Sequence, residues 1–294
     1  MTDLNLRRCS GLVVDIHTHT FPDRIAAKAL ASLQGRCHTA LFSDGTAAGL
    51  TEARIRAGID IAVVQPVATD PSQVEHINDS VIRTNAGSGR TGLVSFGAMH
   101  PAYAGWEKEL DRIAAAGVRG IKMHPPYIQI GIDDPRMIPV LRRCRDLGLA
   151  VLIHSGWDIG LPGAEEALPS RICSMLDAVG GLTLIAGHMG GWRCWEESAR
   201  LLAGSGVYID TAFSLGTLVP ARDGYPWNER DLAMLSPAEF CDLVRAYGAD
   251  HVLFGTDSPW TEPAAELAAV RALPLSPEDL ALICGENAAR LLHL

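Results

Sequence analysis

Short apolar runs rich in β-branched residues alternate with longer amphipathic stretches along the whole chain. The runs at residues 12–17, 59–65, 92–99, 118–124, 149–154, 182–188, 207–210 and 251–257 are too short for helices and predict eight buried strands. Between them, 73–85, 106–116, 135–147, 171–179, 194–203 and 237–247 carry helical periodicity. Three of these helices run into glycine, at Ala116-Gly117, Leu147-Gly148 and Tyr247-Gly248, where a left-handed residue ends a helix. Strands alternating with helices imply a parallel sheet with right-handed crossovers. An open doubly wound sheet would carry a glycine-rich turn after the first strand, but Asp15-Ile16-His17-Thr18-His19 stands there. The expected fold is therefore a single (β/α)8 TIM barrel covering residues 1–294, a length ordinary for that architecture. Two connections are long, 20–46 and 211–236, and loops on that side of a barrel cover its active site. Pro162, Pro220 and Pro226 would stiffen such loops.

Composition narrows the function classes. Apolar residues make up 48% and charged residues 20%, enough for a large core. The net charge is −9 and Lys and Arg form no cluster, so nucleic acid is not an expected partner. No apolar run is long enough to cross a membrane, and the first twenty residues lack a signal-peptide pattern. Seven cysteines, beginning with Cys9, stand in no CxxC spacing and read as free thiols in a reducing, cytoplasmic compartment. The expected partner is a small-molecule substrate, and a homodimer is the default assembly.

The chemistry gathers where strands end. Side chains alternate across a strand, so Asp15, His17 and His19 share a face. Two imidazoles so spaced at a barrel edge can ligate one cation, with Asp15 below to hold an imidazole N–H. A polar strand end with two solvent-exposed histidines is the alternative. His154, His188 and Asp257 close three further apolar runs, each before a loop containing Gly or Pro, at the edge where barrels keep their catalytic groups. His100-Pro101 and His124-Pro125 end two more strands and read equally as pocket or structural histidines. Tyr127, Trp157, Trp192, Phe213 and Trp227 are candidate walls for an apolar or aromatic substrate, with loop packing as the alternative. Arg24, Arg193 and Arg222 are candidate anion clamps. Ser155 and Ser258 lack a nucleophile elbow.

The set resembles the amidohydrolase superfamily: His17-x-His19 on the first strand, His154 on the fifth, His188 on the sixth and Asp257 on the eighth. The stretches VVDIHTHTFP, VLIHSGWD, LIAGHMGG and VLFGTDSPW and the closing GENAARLLHL are similar to its amidohydrolase-2 branch, the aminocarboxymuconate-semialdehyde-decarboxylase-like proteins. The resemblance implies that His17, His19, His154 and Asp257 touch metal. It implies that His188 is a second-metal ligand or orients water or substrate. Lys122 ends the fourth strand, where two-metal members carry a carbamylated lysine that bridges the ions, although the adjacent His124-Pro125 departs from that pattern. A free ammonium anchoring a substrate carboxylate and a lysine snorkelling at the rim are the other readings. Three histidines and a carboxylate suit Zn²⁺ best, with Mn²⁺ and Fe²⁺ as other occupants. The expected activity is hydrolysis of an amide, lactone or ester in a small carboxylated molecule. Asp257 would be the general base and His188 its partner, with His124, Tyr127, Trp157 and Trp192 against the substrate. The alternatives are non-oxidative decarboxylation of an aromatic or muconate-type acid, and a non-catalytic barrel that binds metal or ligand.

Overall fold

Nine strand segments carry the sheet: β1 Val14–Thr18, β2 Ile61–Val64, β3 Leu93–Ser95, β4 Gly97–Ala98, β5 Gly120–Met123, β6 Ala150–Ile153, β7 Leu184–Ala186, β8 Tyr208–Asp210 and β9 Val252–Leu253. The computed structural model describes residues 11–222 and 228–294. All pairings are parallel, in the orders β1-β2-β3 and β4 through β9. Every expected strand is present. The third is split at Phe96, whose N–H still donates to Val64 O at 2.8–3.2 Å spacing typical of a ladder, here 3.0 Å. The ring closes between its last and first strands. Ile16 N–H donates to Phe254 O (2.8 Å), Asp257 N–H donates to His17 O (2.8 Å), and Thr18 pairs with Ser258 in a parallel bridge. Nine segments thus make the eight strands of a TIM barrel.

Alternation places the chemistry. On β5, Ile121 and Met123 join a core with Leu110, Ile113, Val140 and Leu141 of the surrounding helices. Lys122, between them, faces the opposite way. On β6, Val151 and Ile153 belong to the same outer core, so Leu152 and the following His154 turn to the other face. Strands covered on both faces read as continuous apolar runs, and β5, β6 and β7 are buried at every position.

The helix at Pro237–Tyr247 has the expected bounds, and the others shift by one or two residues at one or both ends. Gly117 and Gly148 have φ of 82° and 67°, as a glycine stop requires. The first long connection contains a helix, Asp23–Cys37, that periodicity did not show. Only Ala26, Leu30 and Cys37 of it are buried, so its apolar stripe is thin. The two long connections meet over the barrel mouth: Thr39 bridges Pro220, Ala40 N–H donates to Val219 O (2.8 Å) and Ala221 N–H donates to His38 O (2.8 Å). Cys9, Pro226 and Trp227 lie outside the described residues. No helix among the described residues is long and apolar enough to cross a membrane.

Candidate metal centre and its cavity

The ends of β1, β5, β6, β7 and β9 bring His17, His19, Lys122, His154, His188 and Asp257 to one cavity of about 900 Å³. His17 and Lys122 are each 1% exposed, which excludes both a solvent-exposed His17 and a lysine at the rim. Lys122 sits at the floor, its Nζ 3.0 Å from His17 Nε2. Burial lowers its pKa to about 8, against the opposing pull of Asp210 and Asp257.

Each imidazole is held from behind. His17 Nδ1 lies 2.8 Å from Asp210 Oδ2, His19 Nδ1 lies 2.8 Å from Gln65 O, and His188 Nδ1 lies 3.0 Å from Ala212 O. An acceptor at Nδ1 takes the ring proton and leaves the Nε2 lone pair facing inward. His154 is turned over: its Nε2 lies 3.0 Å from Trp157 O, and its Nδ1 faces the centre. Burial pushes His154 and His188 down to about 3 and His17 well below its ordinary range, so all three rings are neutral at pH 7.

This arrangement opposes lone pairs. His154 Nδ1 and His188 Nε2 stand 3.0 Å apart, although both rings give their protons to carbonyls behind them. His19 Nε2 lies 3.1 Å from Asp257 Oδ1. A cation between the facing His154 and His188 nitrogens removes this conflict, and His19 and Asp257 add a nitrogen and an oxygen beside it, so the donor set fits a divalent metal. His17, His19 and Asp257 form one group whose ligand atoms lie within 4.8 Å of one another, and His17, His188 and Asp210 form a second. Burial would raise the Asp257 carboxyl, but His19, His188 and Lys122 outweigh it and hold the group below its ordinary value.

The backbone turns sharply where two of the candidate ligands leave their strands. His188 and Asp257 have φ of 59° and 64°, in the left-handed region that side chains avoid and functional sites tolerate. The loops after β6 and β7 are fused. Trp192 N–H donates to Ser155 O (2.8 Å), and Trp157 N–H donates to Trp192 O (3.0 Å). A Cβ on Gly156, which has φ of 82°, would lie 2.3 Å from Trp192 N.

Several expectations change. Asp15 holds no imidazole. Its carboxylate accepts from Thr256 Oγ1 (2.6 Å) and Thr256 N–H (3.0 Å), and burial raises its pKa to about 7. Asp210 does what was expected of Asp15, because His17 points into the barrel and meets the end of β8, which is not one of its neighbouring strands. Asp210, Gln65 and Asp158 were missed, although Asp210 and Gln65 close apolar runs as Asp257 does and Asp158 follows His154 by four residues. Asp158 Oδ2 lies 3.3 Å from His124 Nε2. His124 stacks between Tyr127 (3.9 Å) and His154 (4.4 Å) and lines the cavity with Tyr127, Trp192, Phe213 and Arg24. Trp157 lines a separate surface pocket with Arg193 and Trp195. His100 is buried outside the cavity, its Nδ1 accepting from Ala102 N–H (3.1 Å). Ser155 Oγ donates to Gly187 O (3.0 Å) and is no nucleophile.

The Amidohydrolase family model, the amidohydrolase-2 branch, matches residues 11–294. The chain belongs to the amidohydrolase family. No curated protein matches it. Solved structures share the amidohydrolase fold at low identity. An uncharacterised TIM-barrel protein from Bordetella bronchiseptica superposes with a TM-score of 0.72 at 18% identity, over 96% of this chain and 99% of that one. The 5-carboxyvanillate decarboxylase of Novosphingobium aromaticivorans, complexed with manganese and a nitrobenzoic acid, gives 0.68 at 15%, over 98% and 97%. A Pseudomonas putida protein described as a candidate 2-pyrone-4,6-dicarboxylic acid hydrolase gives 0.62 at 16%, over 96% and 97%.

Proposed function

We propose that the protein is a metal-dependent hydrolase of a small, planar, carboxylated molecule containing an ester, lactone or amide. The observation that carries this reading is the facing of two lone pairs, His154 Nδ1 with His188 Nε2, beside His19 and Asp257. His17, His19, His154 and Asp257 would hold the cation, with His188 as a further ligand or as the partner that orients water or substrate. Zn²⁺ suits three imidazoles and a carboxylate best. Such an ion would bring the pKa of water toward about 7 and polarise a substrate carbonyl. Asp257, held ionised by its cationic and imidazole neighbours, accepts the proton of the attacking water. Neutral His188 orients the carbonyl. Lys122, buried at the floor, either bridges two ions as a carbamate or pairs with the substrate carboxylate as an ammonium. His124, Tyr127, Trp192 and Phe213 wall the substrate's place in the cavity.

The second reading is non-oxidative decarboxylation, favoured by the manganese-bound decarboxylase of similar fold. In that reaction Asp257 would return a proton to the ring carbon that loses CO₂, where in hydrolysis it accepts one from water. One experiment separates the readings: metal content per chain, with products followed on 2-pyrone-4,6-dicarboxylate, other lactones and amides, and carboxylated phenols. Metal-dependent ring opening or amide cleavage without CO₂ is expected. CO₂ release establishes the second reading, and metal-free protein with full turnover overturns both.

A further inference from the structure

The cavity does not end at the barrel mouth. On β2, Val63 packs in the inner core with Ile16 and Leu152, so Val64 beside it faces the surrounding helices, where it packs with Leu50 and Leu93. Val64 and Leu93 nevertheless line the same cavity as His19 and Asp257. The cavity therefore passes over the rim at β2 and β3 and continues outside the ring. Two helices wall this extension. The helix Asp23–Cys37 turns Ile25, Ala29, Leu33 and Cys37 to it, each one helical turn beyond the last. The helix Val74–Ala86 turns His76, Ile77, Ser80, Val81 and Thr84 to it, a stripe of about two turns. At a rise of about 1.5 Å per residue the two stripes run about 18 Å and about 12 Å. Both walls start at the centre. Thr20, Phe21 and Pro22 lead from His19 into the first helix, Pro66 and Val67 lead from Gln65 toward the second, and all five line the cavity.

Neither stripe contains an acidic residue, a lysine or an arginine, and the first is apolar throughout. Asp23 and Arg24 line the cavity before the first stripe begins. Ile25 is 43% exposed, and Leu33 and Ile77 are half-buried. Apolar surface left open to water is unfavourable, and a groove lined by it gains when a ligand covers it. The cavity of about 900 Å³ also stands near the top of the range that encloses drug-sized ligands, about 300–1,000 Å³, and far exceeds what a single-ring acid fills. We infer that the substrate carries an unbranched apolar chain, alkyl or acyl, which lies in this groove while its carboxylated head meets the metal centre. The chain covers Ile25, Leu33, Ile77 and Val81, and the affinity it adds comes from apolar area removed from water. Its placement rests on the cavity as the substrate's site, as above, and on neither reaction.

The test uses the metal-loaded full chain and the straight-chain alkanoates from acetate to octanoate, with Kd measured by calorimetry. Affinity is expected to rise about threefold per added CH₂ along the series. Ala29→Phe and Ser80→Phe fill the groove from its two walls. Each should flatten that rise while leaving the acetate Kd unchanged, which also shows that the centre is still formed. Ile55→Ser removes an exposed apolar side chain outside the cavity and should keep the rise. A Kd independent of chain length, no binding at any length, a rise that survives in both groove variants, or a rise lost in Ile55→Ser would overturn the inference. Turnover is followed separately. A chain-length rise without metal-dependent turnover defeats the catalytic reading alone, and metal-dependent turnover without a chain-length rise defeats this inference alone.

Discussion

Asp210 accepts the Nδ1–H of His17 at 2.8 Å, and its other oxygen takes the backbone N–H groups of His188 (2.9 Å) and Ala212 (3.1 Å). One carboxylate thereby fixes the proton of a candidate ligand on β1 and the turn that carries another beyond β7. In Asp210→Asn the amide oxygen stays with the two backbone donors. The NH₂ group then faces His17 Nδ1 and forces the ring proton onto Nε2. Metal affinity is expected to fall about 10–100-fold with the fold intact by circular dichroism. Unchanged affinity in a chelator competition would remove Asp210 from the site.

Asp257→Asn keeps the size and one ligand oxygen but cannot take a proton near neutral pH. Metal content should be largely retained while kcat falls by about 10²-fold or more. Wild-type kcat in the purified variant would exclude proton transfer by Asp257.

Lys122→Ala distinguishes the two roles of the buried amine. If the lysine bridges as a carbamate, the variant loses metal and added short-chain carboxylates restore part of the activity. If it pairs with the substrate carboxylate, metal content holds, KM rises by about tenfold or more, and small amines rescue. Metal analysis of the variant decides before any kinetics, and a variant equal to wild type in metal content and KM excludes both roles.

The depressed imidazoles set the pH response of metal binding. A histidine of ordinary pKa 6.5 loses about tenfold in metal affinity at pH 5.5, so three would lose about 10³. His17, His154 and His188 titrate far lower and are neutral throughout that range. Between pH 7.5 and 5.5 these three rings contribute no loss, so the apparent affinity should fall by far less than about a thousandfold. A thousandfold loss in a metal titration would show that these rings protonate normally.

Gly156→Ala tests the junction of the two loops. Its Cβ meets Trp192 backbone at 2.3 Å in a left-handed conformation, so the loops bearing His154 and Trp192 must part. A loss of about 2–4 kcal/mol is expected, seen as a Tm lower by about 4–10 °C, together with weaker metal binding. A melting curve matching wild type would show that the two loops are not held together here.

The order of strands and helices was legible in the chain because each depends on neighbours within a few residues. So were His17, His19, Lys122, His154, His188 and Asp257, because each marks the point where a buried run ends, which is a local event. The same logic overextended to Asp15: sharing a face with His17 on paper did not make it a partner. A strand's period gives the face of a side chain but not the atom it meets across the barrel. Asp210 reaches His17 over 193 residues, and the pairing exists only once the ring closes through Ile16 with Phe254 and Asp257 with His17. Burial of Lys122 against His17 is likewise a product of closure, and the stacking of His124 on His154 follows from the pairing of β5 with β6. Each depends on distances between strand ends that no segment of the chain encodes by itself.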